Sequence, residues 1–194
     1  DHAGVVPHLQ KNYQIPIAGH GELSCWYHGF WGVIQHLIDI IFAWFVAVKT
    51  RKRYKRFWYP RSIKADFVVE DGQKLPLFDD WQVIYTLGHT THDISLYHQK
   101  DQILYVADLI ITTTDKYLIP FPISLPKELE KSIDKISTLP VKTILLAHRG
   151  EIENPTDKLY TELKENLAQY PPKKFAKLRW FTNLNRAIRK FDKR

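Results

Sequence analysis

Two periodicities run through this chain. From residue 81 onward, short β-rich runs alternate with polar turns: Val83, Tyr85 and Leu87 come first, then Ile94, Leu96 and Tyr97, then Ile103 to Ala107. Runs of this length predict strands of a buried sheet, with Gly88-His89-Thr90 in the loop between the first two and Gln99-Lys100-Asp101 as the next turn. "KTILLAHRG" predicts another strand, running into His148. Elsewhere Gly4 to Leu9 begins a short helix, Ile15 to Ala18 reads as a strand, Ala65 to Val69 opens the second half, and Asp71-Gly72 marks a hairpin in "DGQKLPLF". Pro126 stands near the first turn of a helix through Ile136 that carries Leu129, Ile133 and Ile136 on one face. A further helix starts at Thr156 and stops before Pro171-Pro172.

The second periodicity is helical and much more apolar. "GFWGVIQHLIDIIFAWFVAV", residues 29 to 48, is about 20 residues long, which at 1.5 Å per residue would match a bilayer core. Gly32, His36, Asp39, Ala43 and Ala47 recur along it at helical spacing, a narrow small or polar stripe on an otherwise apolar surface. The stripe predicts a helix that lies in an interface or covers a site as a lid, with His36 and Asp39 satisfying each other or a backbone group. Near the other end, Phe175, Leu178, Phe181, Leu184, Ile188 and Phe191 make residues 171–194 a basic amphipathic helix.

Charge sharpens this picture. The formal net charge is +7, yet residues 49–64 alone carry +8 and residues 173–194 another +8, which leaves −9 on the remainder. The body is acidic and the basicity belongs to two segments that adjoin apolar helices. Cations placed so fit anionic lipid headgroups, each worth on the order of 1 kcal/mol near a charged surface. Peripheral membrane contact through 29–56 and 173–194 is therefore the expectation. Nucleic acid takes second place as a partner, because 29–48 is too apolar for a phosphate groove.

The strand ends carry the candidate chemistry. His89 follows one strand, Asp108 falls just beyond Ile103 to Ala107, and His148 ends "KTILLAH", so an imidazole, a carboxylate and an imidazole are each delivered from a rigid element. Asp1-His2 opens the chain before Ala3-Gly4 and an apolar stretch. Any one such residue is ordinarily a solvated or hydrogen-bonded side chain. His92, His20 and His98 are read in that ordinary way. Four motifs in order, "DHAG", "LGHTTHDISLY", "VADLI" and "LAHRG", make a different case. In these motifs the chain resembles the metallo-β-lactamase superfamily, whose landmarks are HxHxDH, a GHT-type histidine, a strand-end aspartate in a "GD" context and a late "GHG" histidine. The resemblance covers residues 1 to about 150 and departs from the pattern in three places. The first two histidines of HxHxDH are absent because the chain begins at the aspartate. Ala107 stands where Gly is usual, a small-for-small change expected to be tolerated, and Arg149 interrupts "GHG".

The resemblance implies a four-layer αββα sandwich, an α/β fold here incomplete at the N-terminus and carrying the apolar helical insertion. It implies a body over residues 1–170 followed by the basic helix 171–194. It further implies that Asp1, His2, His89, Asp108 and His148 are metal ligands, with Asp108 bridging two metals and Asp1 also orienting the attacking water. Imidazoles with carboxylates suit zinc, and also manganese or iron. The implied reaction is hydrolysis by a metal-bound hydroxide, two metals clamping an ester, thioester, lactone or phosphodiester. The bridging acid counts against the penicillin-hydrolysing branches. A nuclease of the same fold, a diiron redox relative and a catalytically incomplete binding module are the alternatives.

Composition sets limits on all of this. At 194 residues with 44% hydrophobic content the chain can bury one good core. Its single cysteine, Cys25, allows no internal disulfide and fits simple burial beside Trp26. The expected location is cytoplasmic, or peripheral at the inner membrane surface, with a small-molecule or lipid-like substrate. With no methionine in the sequence, the chain is expected to be a fragment of a longer translated protein.

Overall fold

A computed structural model describes residues 3–49, 58–113, 116–148 and 150–170, and divides the chain into two compact units, Asp1–Val68 and Val69–Arg194. The body expected over 1–170 takes in the whole of the first unit and most of the second. The amphipathic helix expected over 171–194 lies outside the described residues.

The first unit contains α1 (Val6–Tyr13), β1 (Ala18–Gly19), a 3-10 turn at Leu23–Cys25, α2 (Gly29–Lys49) and β2 (Phe67–Val68). Helix α1 stops because Gln14 turns left-handed, φ +53°, and returns its N–H to the Gln10 carbonyl. β1 pairs with β2 in parallel, Ala18 opposite Phe67. The strand expected at Ile15 to Ala18 is thus reduced to its last residue and Gly19, because Ile17 is engaged by a side chain: the Asp66 carboxylate accepts from the Ile17 N–H at 2.8 Å and from Gln10 at 2.8 Å. Those two donors, the Ile17 N–H first, hold the Asp66 carboxyl below the usual range. Cys25 is exposed and not buried as expected.

Helix α2 forms where the apolar periodicity placed it. Its small stripe faces inward: a Cβ on Gly32 would fall 2.1 Å from the Tyr27 carbonyl carbon, so only glycine fits there. His36 is 1% exposed and meets the Tyr59 carbonyl at 2.9 Å, its ring packed edge-on against Tyr27, Tyr59 and Trp58. The Tyr27 hydroxyl donates to Asp39 at 2.9 Å and lies 3.1 Å from the Tyr59 hydroxyl. His36 thus takes a backbone partner and Asp39 a tyrosine. Burial, then the Asp39 charge, raises the Tyr27 phenol far above its usual range, so it serves here as a neutral donor.

The second unit is built on one six-stranded sheet, in the order β10-β9-β6-β5-β4-β3. These strands are β3 (Lys74–Leu75), β4 (Phe78–Tyr85), β5 (Ile94–His98), β6 (Ile103–Tyr105), β9 (Thr143–Leu145) and β10 (Glu151–Glu153). A small antiparallel pair, β7 (Ile111–Thr112) and β8 (Tyr117–Leu118), and the helices α3 (Pro126–Ser137) and α4 (Asp157–Ala168) complete it. All pairings in the large sheet are antiparallel except β6 with β9. One row of partners, Ile152–Ile144–Leu104–Tyr97, crosses four strands and is buried throughout, with Leu104 and Ile144 fully so. It packs in one cluster with Leu129, Ile133 and Ile136 of α3 and Leu159 and Leu163 of α4. Each such side chain contributes roughly 1.5–3 kcal/mol by leaving water. In this unit, then, the layers formed are the large sheet and the helices α3 and α4 packed on it.

Two local expectations change. The β3–β4 hairpin closes at Pro76-Leu77, where Leu77 takes φ +70°, and not at Asp71-Gly72. Asp71 instead accepts from the Tyr85 N–H at 2.7 Å and from Lys135 at 2.6 Å, tying the end of α3 to the end of β4. Strand β6 stops at Tyr105, two residues short of Ala107, because Ala107 turns left-handed at φ +46°.

Candidate metal centre

Sheet direction brings the candidate ligands together. β6 and β9 are parallel with Tyr105 opposite Leu145, so Asp108 and His148, each three residues further on, leave the same edge of the sheet side by side. β4 runs in the same sense, being antiparallel to β5, which is antiparallel to β6, and His89 follows four residues after its last residue. Three loops thus meet at one edge, where side chains can be varied without disturbing the frame.

There, Asp108 lies between two imidazoles. His148 Nε2 stands 2.8 Å from Asp108 Oδ1, and His89 Nε2 stands 3.9 Å from Oδ2. Asp108 is the most enclosed of the three side chains, at 17% exposure, and His148 the least, at 46%. His89 Nδ1 meets the Pro122 carbonyl at 2.7 Å. A carbonyl can only accept, so the proton sits on Nδ1 and Nε2 is left as a lone-pair donor directed toward Asp108.

The loop that carries His89 is fixed from several sides. Gly88 takes φ +150°, and a Cβ there would fall 2.5 Å from Leu129 Cβ and 2.7 Å from its Cα. Its carbonyl accepts from the Ser124 and Leu125 N–H groups at 2.9 Å, and Ser132 donates to the Leu87 carbonyl at 2.8 Å. Asp93 accepts from both the backbone N–H and the hydroxyl of Thr90. Burial is the largest influence on the Asp93 carboxyl and raises it, while the two Thr90 donors favour its charged form and Asp108 pushes it up again. Asp93, Pro122 and Ser132 were not among the sequence candidates. Asp93 alone left a signal there, a carboxylate three residues beyond a loop threonine, the spacing of a side chain that closes its own turn. Tyr105 also borders the site: burial first and the Asp108 charge second raise its phenol.

Asp1, His2 and Arg149 lie outside the described residues. Among the described residues no group of three acid, histidine or cysteine side chains stands ready to hold a metal ion. The donor chemistry nevertheless fits one: two imidazole nitrogens flank a single enclosed carboxylate, and one of those imidazoles has its tautomer set by a carbonyl. A metal held by His89, Asp108 and His148 would need further donors to complete its shell.

Comparison with known proteins identifies the fold. The family model of the metallo-β-lactamase superfamily matches residues 1–148, and the chain belongs to that superfamily. Its members are mostly metal-dependent hydrolases, and binding of divalent metals is general among them. Solved structures share the fold at low identity. TTHA1623, solved in a di-iron-bound form, is 19% identical with a TM-score of 0.51, covering 79% of this chain and 67% of its own. ST1585 from Sulfolobus tokodaii is 19% identical with a TM-score of 0.55, covering 88% and 63%. The B3 metallo-β-lactamase BLEG-1 is 20% identical with a TM-score of 0.54, covering 79% and 66%. The chain therefore spans about two thirds of the length of these structures. No curated protein matches it.

Proposed function

We propose that this chain belongs to a metal-dependent hydrolase that cleaves an ester, thioester, lactone or phosphodiester at a membrane surface. The observation that carries the hydrolytic reading is the placement of Asp108 between His89 Nε2 and His148 Nε2 at one sheet edge. A zinc, manganese or iron pair held there would polarise a carbonyl or phosphoryl oxygen and make water nucleophilic at neutral pH. By the family resemblance, His89, Asp108 and His148 would hold the metal together with Asp1 and His2. The protein's own groups prepare this: the Pro122 carbonyl holds the His89 tautomer, Asp93 and Thr90 fix the loop, and Gly88 lets that loop lie against α3. Asp1 would orient the attacking water. The membrane-surface part of the reading draws on the exposed apolar side of α2 and the basic segment that follows it.

The test is the metal content of the full-length protein beside its Asp108→Ala variant, with ester and phosphodiester turnover read on the same samples. Bound metal in the wild type, lost in the variant together with turnover, would support the hydrolase. Two folded samples that both take up no metal would overturn it.

A further inference from the structure

Helix α2 is inverted relative to an ordinary surface helix. A helix on the outside of a domain in water turns its apolar side inward. In α2 the inward stripe holds Gly32, His36 and Asp39, and the outward side holds Phe30 at 73% exposure, Leu37, Ile41 at 61%, Phe45 and Val48 at 54%. Phe45 stands half a helical turn away from His36, so the two faces are opposed and not interleaved. Asp39 is the one Asp, Glu, Lys or Arg between Gly29 and Val48, and the Tyr27 hydroxyl donates to it. A contiguous apolar face of this kind marks a docking surface.

We propose that this face docks on an anionic lipid bilayer, with α2 lying in the plane of the interface and its outer side chains among the acyl chains. Charge selects the occupant. The eight cations between Lys49 and Lys64, with no acid among them, follow the helix directly in sequence and complement anionic headgroups. Trp31 and Trp44 are both exposed on α2, and tryptophan favours the headgroup level, where one edge is greasy and the other wet. Among the described residues no helix is long and apolar enough to cross a membrane, and the polar inner stripe needs protein and not lipid beside it, so α2 lies on the bilayer and does not span it. This deepens the membrane-surface part of the proposed function and rests on none of its chemistry.

The experiment is co-sedimentation of the full chain with vesicles of phosphatidylcholine alone and with 30% phosphatidylserine (roughly the anionic share that gives a cytoplasmic-type surface potential). Ile41→Glu and Leu37→Glu alter the outer face at exposed positions, and Leu77→Glu, exposed in the second unit, serves as the control. The expected result is binding to the anionic vesicles that weakens with salt, falls about tenfold or more in each α2 variant and is unchanged in Leu77→Glu. Binding indifferent to phosphatidylserine, or equal in wild type and Ile41→Glu, would overturn the proposal. So would a wild-type dimer that Ile41→Glu converts to a monomer with no vesicle binding in either form. Metal loading and turnover do not enter this readout, so its failure would leave the hydrolase reading standing.

Discussion

His148 and Asp108 meet at 2.8 Å because Leu145 and Tyr105 are partners in the one parallel pairing of the six-stranded sheet. The two residues are 40 apart in sequence and have no local reason to meet. The register of two short strands decides it, and the geometry of the centre is therefore a property of the sheet.

Gly88 is expected to tolerate no side chain. Gly88→Ala puts a methyl group 2.5 Å from Leu129 Cβ, and since α3 is packed on the sheet the loop must yield. The expected cost is about 1–3 kcal/mol of stability. Metal affinity should fall with it, because His89 is the next residue. Urea denaturation and chelator competition on the same variant check both, and an unaltered midpoint would contradict the close approach.

Ala107 should behave in the opposite way. A left-handed alanine costs roughly 1–2 kcal/mol, and glycine gives back about 0.4–1 kcal/mol through the unfolded chain. Ala107→Gly is then expected to raise the urea midpoint by an amount worth about 0.5–1 kcal/mol. The left-handed backbone angle at Ala107 favours the glycine that is usual at this place in the family pattern.

Asp93 is a positioning residue, holding Thr90 one step beyond His89. Asp93→Ala should weaken metal binding about 10–100-fold, as loss of an outer partner does elsewhere. Asp93→Asn keeps one acceptor and should recover part of that. Equal affinities in wild type and Asp93→Ala, by chelator competition, would remove Asp93 from this role.

Asp66 gives a pH signature to the first unit. Its folded carboxyl lies below the usual value because the Ile17 N–H and Gln10 favour the charged form. The stabilisation is therefore complete above the ordinary carboxylate range and disappears as pH falls through the lowered folded value. Asp66→Asn should lose stability at neutral pH and converge with wild type in acid. Parallel curves at every pH would show that the carboxylate charge has no part.

The strand-end positions of His89, Asp108 and His148 were legible because apolar runs stop where the chemistry begins, and the face of α3 was legible because Leu129, Ile133 and Ile136 recur at helical spacing. What joins them was not. Nothing local in "ILY" and "TIL" states that they pair in parallel, since that contact closes only after a long crossover. Asp71-Gly72 carries the strongest short hairpin signal in its segment, yet Lys135 and Tyr85 claim Asp71 and the chain reverses at Leu77. Pro122 could not be foreseen as the His89 partner because a backbone carbonyl leaves no trace in residue identity. Gly32 was legible as part of a stripe, while the reason for it, the Tyr27 backbone, emerged only in three dimensions.

The far edge of the sheet has a practical meaning. The β5–β6 turn, with Gln99, Lys100 and Asp101 exposed, and the β3–β4 turn at Leu77 both lie at the end opposite His89, Asp108 and His148. A fluorophore, an affinity handle or an inserted peptide placed in either turn leaves the loops of His89, Asp108 and His148 untouched. The protein can thus be tethered to a bead or a sensor chip by the back of its sheet, with the edge that carries the candidate ligands facing the bulk.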